Sequence, residues 1–361
     1  MDEFVSLQEF ALRGRRNLTR PVWDYLMGGS ETETTLKRNR QALDSLALAP
    51  RVLKGVENVD PSTTFLGRHL RIPVMLAPIG SLQLVEKGGA VTVAEAAAEF
   101  GTISFMSSVS EPGLEIVGSA TDAPKVFQLY VRGDDKWVGE QVQRVKNAGF
   151  EIFCLTVDTA LYSRRERDLL NRWVPSARRT GLTGSNFQAK LTWDTVKRFK
   201  DQHDIPLILK GIATGEDAEI AVEHGVEVIY ISNHGGRQLD HGRGSIEVLP
   251  EVIAAVGGKA SVLVDGSIMR GTDVIKALAL GANAVCIGKL QGLGLAAAGK
   301  EGLVHLLKLL ESEIRISMAL LGLRNFAEID SSFVEEVEPI IEPHVISPYT
   351  HIDIEELEYD R

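Results

Sequence analysis

Short apolar runs recur along the chain, separated by stretches with helical spacing. The runs Val74–Ala77, Ile103–Met106, Val126–Tyr130, Ile152–Val157, Leu207–Lys210, Val228–Ser232, Val262–Val264 and Ala284–Ile287 read as buried strands. Amphipathic spacing predicts helices at Ala90–Phe100, Lys136–Ala148, Thr192–Gln202, Glu216–His224, Ile246–Ala255 and Asp273–Leu280, several of them ending at a glycine, the usual helix stop. Eight strands alternating with helices predict an α/β fold, a (β/α)8 TIM barrel. A doubly wound sheet is the alternative, but no G-x-G-x-x-G turn follows the first strand.

The spacing also marks the excursions. Residues 1–70 precede the first strand and predict a helical entry segment, with a helix end at Asp24-Tyr25-Leu26-Met27-Gly28-Gly29. The barrel spans 71–330. A long connection after strand four, including Arg164 to Phe187, predicts a lid or binding loop. Residues 331–361 form an acidic C-terminal tail. It reads either as a solvated tail or as an arm packing on a neighbouring subunit through Val345, Ile346, Tyr349 and Ile352.

Charge narrows the partners. The chain has 361 residues and a net charge of −10. The tail holds nine acidic residues and one basic one, which leaves the body near −2 and favours neither nucleic acid nor membrane. The two cysteines, Cys154 and Cys286, sit in apolar runs and read as buried thiols. The first residues lack a signal-peptide core, and no long apolar run predicts a membrane span. A soluble, cytoplasmic protein is expected.

Polar residues gather where the strands end. The densest stretch is Ser232-Asn233-His234-Gly235-Gly236-Arg237-Gln238-Leu239-Asp240 after strand six, which offers a base and a carboxylate-binding guanidinium. Ala77-Pro78-Ile79-Gly80, Ser107, Gln128 and Tyr130, Thr156 and Asp158, Lys210, Asp265-Gly266-Ser267 and Gly288-Lys289 fall at the same ends of the other strands. A TIM barrel places its active site there.

These segments identify a resemblance to the FMN-dependent 2-hydroxy-acid oxidases and dehydrogenases. It rests on Ser232–Asp240, Phe127-Gln128-Leu129-Tyr130, Leu155-Thr156-Val157-Asp158-Thr159, Arg164-Arg165-Glu166-Arg167-Asp168 and the run from Arg270 to Ala282, and extends from about Val22 to Ile329. The resemblance implies oxidation of an L-2-hydroxy acid to the 2-keto acid with FMN, reoxidised by oxygen or another acceptor, in a homo-oligomer, a tetramer by resemblance. His234 is implied as the proton acceptor, Asp158 as the carboxylate that stabilises its imidazolium, and Tyr130 as a hydrogen-bond partner of the substrate oxygen. Tyr25, Arg165 and Arg237 are implied as substrate carboxylate ligands, and Lys210 as the cation beside the flavin. Ala77, Pro78, Gly80, Ser107, Gln128, Thr156 and Ser232 are implied along the flavin ring, and Asp265, Gly266, Ser267, Gly288 and Lys289 at its ribityl-phosphate end. No metal is expected.

The chain departs from the family at two places. Met269 stands where an arginine commonly binds phosphate, and Lys289 where strand eight commonly supplies an arginine. At the substrate end, Val109 replaces a frequent tryptophan and Tyr162 a smaller aliphatic residue, which points to a substrate bulkier than glycolate. Beside the flavin, Gly80 replaces a common alanine, and the smaller bulk there bears on access of oxygen or another acceptor. The basic loop Arg164, Arg165, Arg167, Arg172, Arg178 and Arg179 leaves open another FMN-barrel activity on a larger anionic substrate. A non-catalytic flavin-binding relative is the third reading.

Overall fold

The computed structural model describes residues 4–175 and 186–352. Eight parallel strands close into a barrel: Val74–Leu76, Ser104–Ser107, Lys125–Leu129, Ile152–Thr156, Leu207–Ile212, Val228–Ile231, Ser261–Val264 and Ala284–Ile287, here barrel strands one to eight. All eight expected strands are present, with ends shifted by a residue or two.

The period-two alternation of each strand explains both the core and the site. One set of alternate residues packs outward against the helices: Phe127 and Leu129, Phe153 and Leu155, Leu207 and Leu209, Ile229 and Ile231. The other set fills the barrel: Phe105, Val126, Ile152, Cys154, Ile208, Val228, Tyr230 and Leu263. Continued toward the strand ends, the inward positions turn polar: Ser107, Gln128, Thr156, Lys210 and Ser232, each at most 3% exposed. The barrel is therefore apolar at its base and polar at its C-terminal mouth.

The entry segment is not purely helical. It contains the expected helices Leu7–Asn17, Arg20–Met27 and Thr34–Asp44, but also three short strands. Thr63–Phe65 and Arg68–Leu70 form a hairpin whose Phe65 and Leu70 join the inner barrel cluster and plug its base. Leu46–Leu48 pairs antiparallel with Val334–Glu336, so the entry segment and the tail share a small sheet.

The tail also corrects the expectation. Val345, Ile346, Tyr349 and Ile352 are buried on this same chain rather than solvated or set on a neighbour. Tyr349 Oη donates to Met269 O at 3.4 Å, and Arg270 lies over its ring. Residues 353–361 lie outside the described part.

Three α-helices were not foreseen. Leu114–Ala120 is short and contains Gly118, and Glu166–Leu170 lies in the connection after strand four. After strand eight the chain runs as Lys289–Leu321, broken at Ala298-Gly299, where Gly299 has φ +58°. Asn17 Nδ2 donates to the carbonyls of Ala296 and Ala297 just before the break, which docks the first helix there.

Candidate active site

A cavity of about 890 Å³ opens at the C-terminal mouth. Tyr25, Ala77, Pro78, Gly80, Tyr130, Arg165, Lys210, His234, Arg237, Asp265, Gly266, Ser267, Gly288 and Lys289 all line it. The strand ends thus bring together most of the expected residues.

His234 sits at its centre. His234 Nδ1 lies 3.0 Å from both carboxylate oxygens of Asp158, and Nε2 lies 3.0 Å from Tyr130 Oη. Burial pushes the imidazole below its ordinary pKa; Asp158 opposes this, while Lys210 adds to it. Burial works against ionisation of Asp158, but His234 and Lys210 outweigh it and hold the carboxyl below the usual range. Burial pushes the Tyr130 phenol well up, so it stays protonated. The consistent state is a neutral imidazole whose Nδ1–H donates to Asp158. Its Nε2 is then an acceptor that faces the cavity.

The backbone around His234 is unusual. His234, Gly235 and Gly236 all have positive φ, at 62°, 63° and 76°. For a residue with a Cβ this conformation costs on the order of 1 kcal/mol and needs surrounding bonds to fix it. His234 N donates to Ser232 Oγ at 3.0 Å and Gly236 N to Asn233 Oδ1 at 3.0 Å.

A cationic wall faces the histidine. The Arg237 guanidinium carbon lies 4.8 Å from the Tyr25 ring centre, and its Nη1 donates to the Tyr25 and Gly28 carbonyls. Arg165 is 7% exposed and lies 4.4 Å from the Tyr162 ring centre. Tyr25 Oη donates to Gly80 O at 3.0 Å. Two guanidiniums and a phenol so close together suit a small carboxylate.

Behind this wall, Lys210 Nζ donates to Ser232 Oγ at 2.7 Å and lies 3.5 Å from Asp265 Oδ2. Burial opposes its charge, but Asp265 and Asp158 outweigh it and raise its pKa, so it is a fixed cation. Ser107, Gln128 and Thr156 are buried in one chain: Ser107 Oγ donates to Gln128 Oε1 at 2.7 Å, and Gln128 Nε2 to Thr156 Oγ1 at 2.8 Å. They and Ser232 stand behind the cavity wall rather than on it.

The ends of strands seven and eight bring Asp265, Gly266, Ser267, Gly288 and Lys289 to the cavity. Arg270 turns away, pairing with Glu313 at 2.8 Å, and Met269 is 1% exposed. Lys289 is the cation at this end, with Nζ donating to Gly235 O at 3.0 Å; burial lowers its pKa to about 7, with Arg237 adding to the effect. Among the described residues, the buried Ser267 Oγ and Asp265 Oδ1 have no hydrogen-bond partner, and a Cβ built on Gly288 meets nothing within 4 Å. Unsatisfied polar atoms beside open space and a lysine fit the hydroxyls and phosphate of a ribityl phosphate.

The basic loop is only partly directed at the cavity. Arg167 is tied to Glu33 at 2.6 Å and to Asp24 at 3.5 Å, and Arg164 pairs with Glu166 at 3.3 Å. Arg178 and Arg179 lie outside the described residues. Three site residues were missed: Gly211, against which Asp158 packs; Gln188, whose Nε2 donates to Thr156 O; and Asn39, which bonds Asn233. The first could have been suspected from its place beside Lys210. The other two carry no local sign.

Comparison with known proteins agrees with this geometry. A family profile described as FMN-dependent dehydrogenase matches residues 14–336. An L-lactate oxidase from Nostoc sp. is 38% identical over 356 residues, covering 91% of this chain and 98% of the relative. The glycolate oxidase of Spinacia oleracea is 36% identical over 353 residues, covering 92% and 96%. A solved mandelate oxidase mutant with benzaldehyde superposes with a TM-score of 0.86 at 37% identity, over 94% of this chain and 100% of that one.

Proposed function

The chain belongs to the FMN-dependent dehydrogenase family, and from that premise we propose that its mouth oxidises an L-2-hydroxy acid to the 2-keto acid. The observation that carries this is the line Asp158–His234–Tyr130 set beside Arg237, Arg165 and Tyr25. Arg237, Arg165 and Tyr25 hold the substrate carboxylate. His234 Nε2 accepts the hydroxyl proton, and Asp158 stabilises the imidazolium that results. Tyr130 donates to the substrate oxygen.

FMN, when bound, supplies the two-electron acceptor for the Cα–H bond. Lys210 would give a fixed positive charge beside the ring, which would favour the reduced, anionic form. Ala77, Pro78 and Gly80 would border the ring, with Ser107, Gln128, Thr156 and Ser232 supporting that wall from behind. Asp265, Gly266, Ser267, Gly288 and Lys289 would hold the ribityl-phosphate. Oxygen is the proposed acceptor, on the strength of relatives named as oxidases. A homo-oligomer is proposed from family resemblance.

The substrate end is apolar: Val109, Leu161, Tyr162 and Phe187 line it. We assign it to a hydroxy acid with a side chain larger than that of glycolate. The deciding experiment is an anaerobic screen of the FMN-loaded protein against glycolate, lactate, longer aliphatic and aryl hydroxy acids, read as flavin bleaching, followed by addition of oxygen. Bleaching fastest with the larger acids supports the reading. No bleaching by any hydroxy acid rejects it.

A further inference from the structure

The His234 loop is held in its left-handed shape by a residue that lies outside the barrel. Gly236 N donates to Asn233 Oδ1, and Asn233 is itself gripped by Asn39 of the helix Thr34–Asp44. The two amides bond reciprocally: Asn39 Nδ2 donates to Asn233 Oδ1 at 2.9 Å, and Asn233 Nδ2 to Asn39 Oδ1 at 2.7 Å. Asn233 Nδ2 also donates to Arg243 O at 3.0 Å, and Asn39 Oδ1 accepts from Ser245 N at 3.0 Å. Asn39 is 1% exposed, and all its amide oxygen and nitrogen bonding is directed at loops of the barrel mouth. An aspartate or a serine cannot reproduce this donor-and-acceptor pair.

The same helix reaches the next loop. Arg40 donates to Ser267 O at 3.0 Å and pairs with Asp273, which in turn accepts from Met269 N and Arg270 N at 3.0 Å. A Cβ on Gly266 would lie 3.1 Å from Asn39 Oδ1, so strands six and seven both end against this asparagine. A generic helix-to-barrel contact would be apolar. This one is a polar contact one residue away from His234 in which both asparagine amides are bonded through oxygen and nitrogen, in a medium where an unpaired amide is costly.

We propose that Asn39 is a positioning residue for His234. Acting through Asn233, it fixes the loop so that the imidazole stands between Asp158 and Tyr130. The inference rests on the reading of His234 as the proton acceptor. Without Asn39, Asn233 keeps only the Arg243 carbonyl as an anchor, and the imidazole is held less firmly at 3.0 Å from Asp158.

The test uses the full FMN-loaded chain with the hydroxy acid that bleaches the wild type fastest. Asn39→Ala is expected to slow anaerobic bleaching at saturating substrate by about tenfold or more, as loss of a catalytic alignment does. FMN affinity, read by flavin fluorescence, should stay within about twofold, since no cofactor-facing atom changes. Because Asp158 raises the histidine's pKa, weakening that contact should move the acid limb of the bleaching rate to lower pH. Should Asn39→Ala not fold, Asn233→Asp keeps the acceptor for Gly236 N and Asn39 Nδ2, and loses both donations. It should slow bleaching as well. An unchanged rate and limb in a folded variant overturns the proposal, as does a loss that only tracks melting temperature or flavin content. His234→Ala separates the two readings. If it abolishes bleaching while the Asn39 and Asn233 variants behave as wild type, only the positioning role fails. If His234→Ala bleaches normally, the reading of the base fails first.

Discussion

Gly211 and Asp158 are packed so closely that a Cβ on the glycine would lie 2.6 Å from the aspartate Cβ and 2.9 Å from its backbone nitrogen. Gly211 also has φ +115°, which an L side chain rarely adopts. The glycine therefore leaves room for the carboxylate that orients His234. Gly211→Ala should lower stability by about 1–3 kcal/mol and slow flavin bleaching by about tenfold or more, through displacement of Asp158. Thermal melting and stopped-flow bleaching measure the two effects. A variant that bleaches at the wild-type rate would show that Asp158 has another way to keep its place.

The histidine predicts a pH profile. Proton acceptance requires the neutral imidazole, so activity falls as pH falls through the His234 pKa. Burial, with a smaller contribution from Lys210, holds that pKa below the ordinary value, against the pull of Asp158. The acid limb of kcat/KM should accordingly lie below the ordinary histidine range near pH 6.5. The same group links pH to folding. Below its ordinary value the unfolded chain binds the proton that the native chain resists, so stability from this group is present above that range and is lost as pH falls. A limb at or above the ordinary value would refute the assignment of His234 as the titrating base.

Lys289, proposed to hold the cofactor's phosphate, should set the pH dependence of FMN binding. Its pKa is lowered to about 7 by burial, then by Arg237, with Arg165 adding; Glu33 and Asp265 oppose them. A phosphate dianion beside it favours the charged form, so binding FMN takes up a proton at pH values above about 7. FMN affinity should fall with rising pH in that range, by at most about tenfold per pH unit. Lys289→Arg, with a guanidinium that stays protonated, should flatten the dependence, and Lys289→Met should weaken FMN binding most at low pH, with the deficit shrinking as pH rises. Fluorescence titration with FMN measures all three. Riboflavin, which has no phosphate, should bind with little pH dependence.

Much of this was legible in the sequence because the barrel writes its geometry as a period of two. Val126, Gln128 and Tyr130, or Ile152, Cys154, Thr156 and Asp158, climb one inward face from core to mouth, and the change from apolar to polar is visible residue by residue. The His234 loop stands out for the same reason, as polar residues directly after an apolar run. What was hidden depends on contacts between distant parts of the chain. Asn39 and Asn233 are 194 positions apart, and no local pattern pairs them. The tail's apolar residues mark Tyr349 as able to pack, but its partner Met269 on the same chain was equally invisible. The pairing of Arg270 with Glu313, far along the last helix, is another contact that no local pattern announces.

The substrate end offers a test of coupling. A Cβ on Gly80 would lie 2.7 Å from Val109 Cγ2 and 3.5 Å from Tyr25 Oη. Gly80→Ala should therefore push Val109 or Tyr25 aside, with an overpacking cost of about 1–3 kcal/mol and a raised KM for the hydroxy acid. Val109→Ala removes the colliding methyl groups, so the double variant should recover most of the loss from Gly80→Ala. Such non-additivity is expected only of residues that touch. The Val109→Ala change alone enlarges the apolar end, and should favour bulky hydroxy acids over small ones in kcat/KM. Additive effects of the two changes, with no change in preference between lactate and an aryl hydroxy acid, would show that these residues do not form the substrate wall.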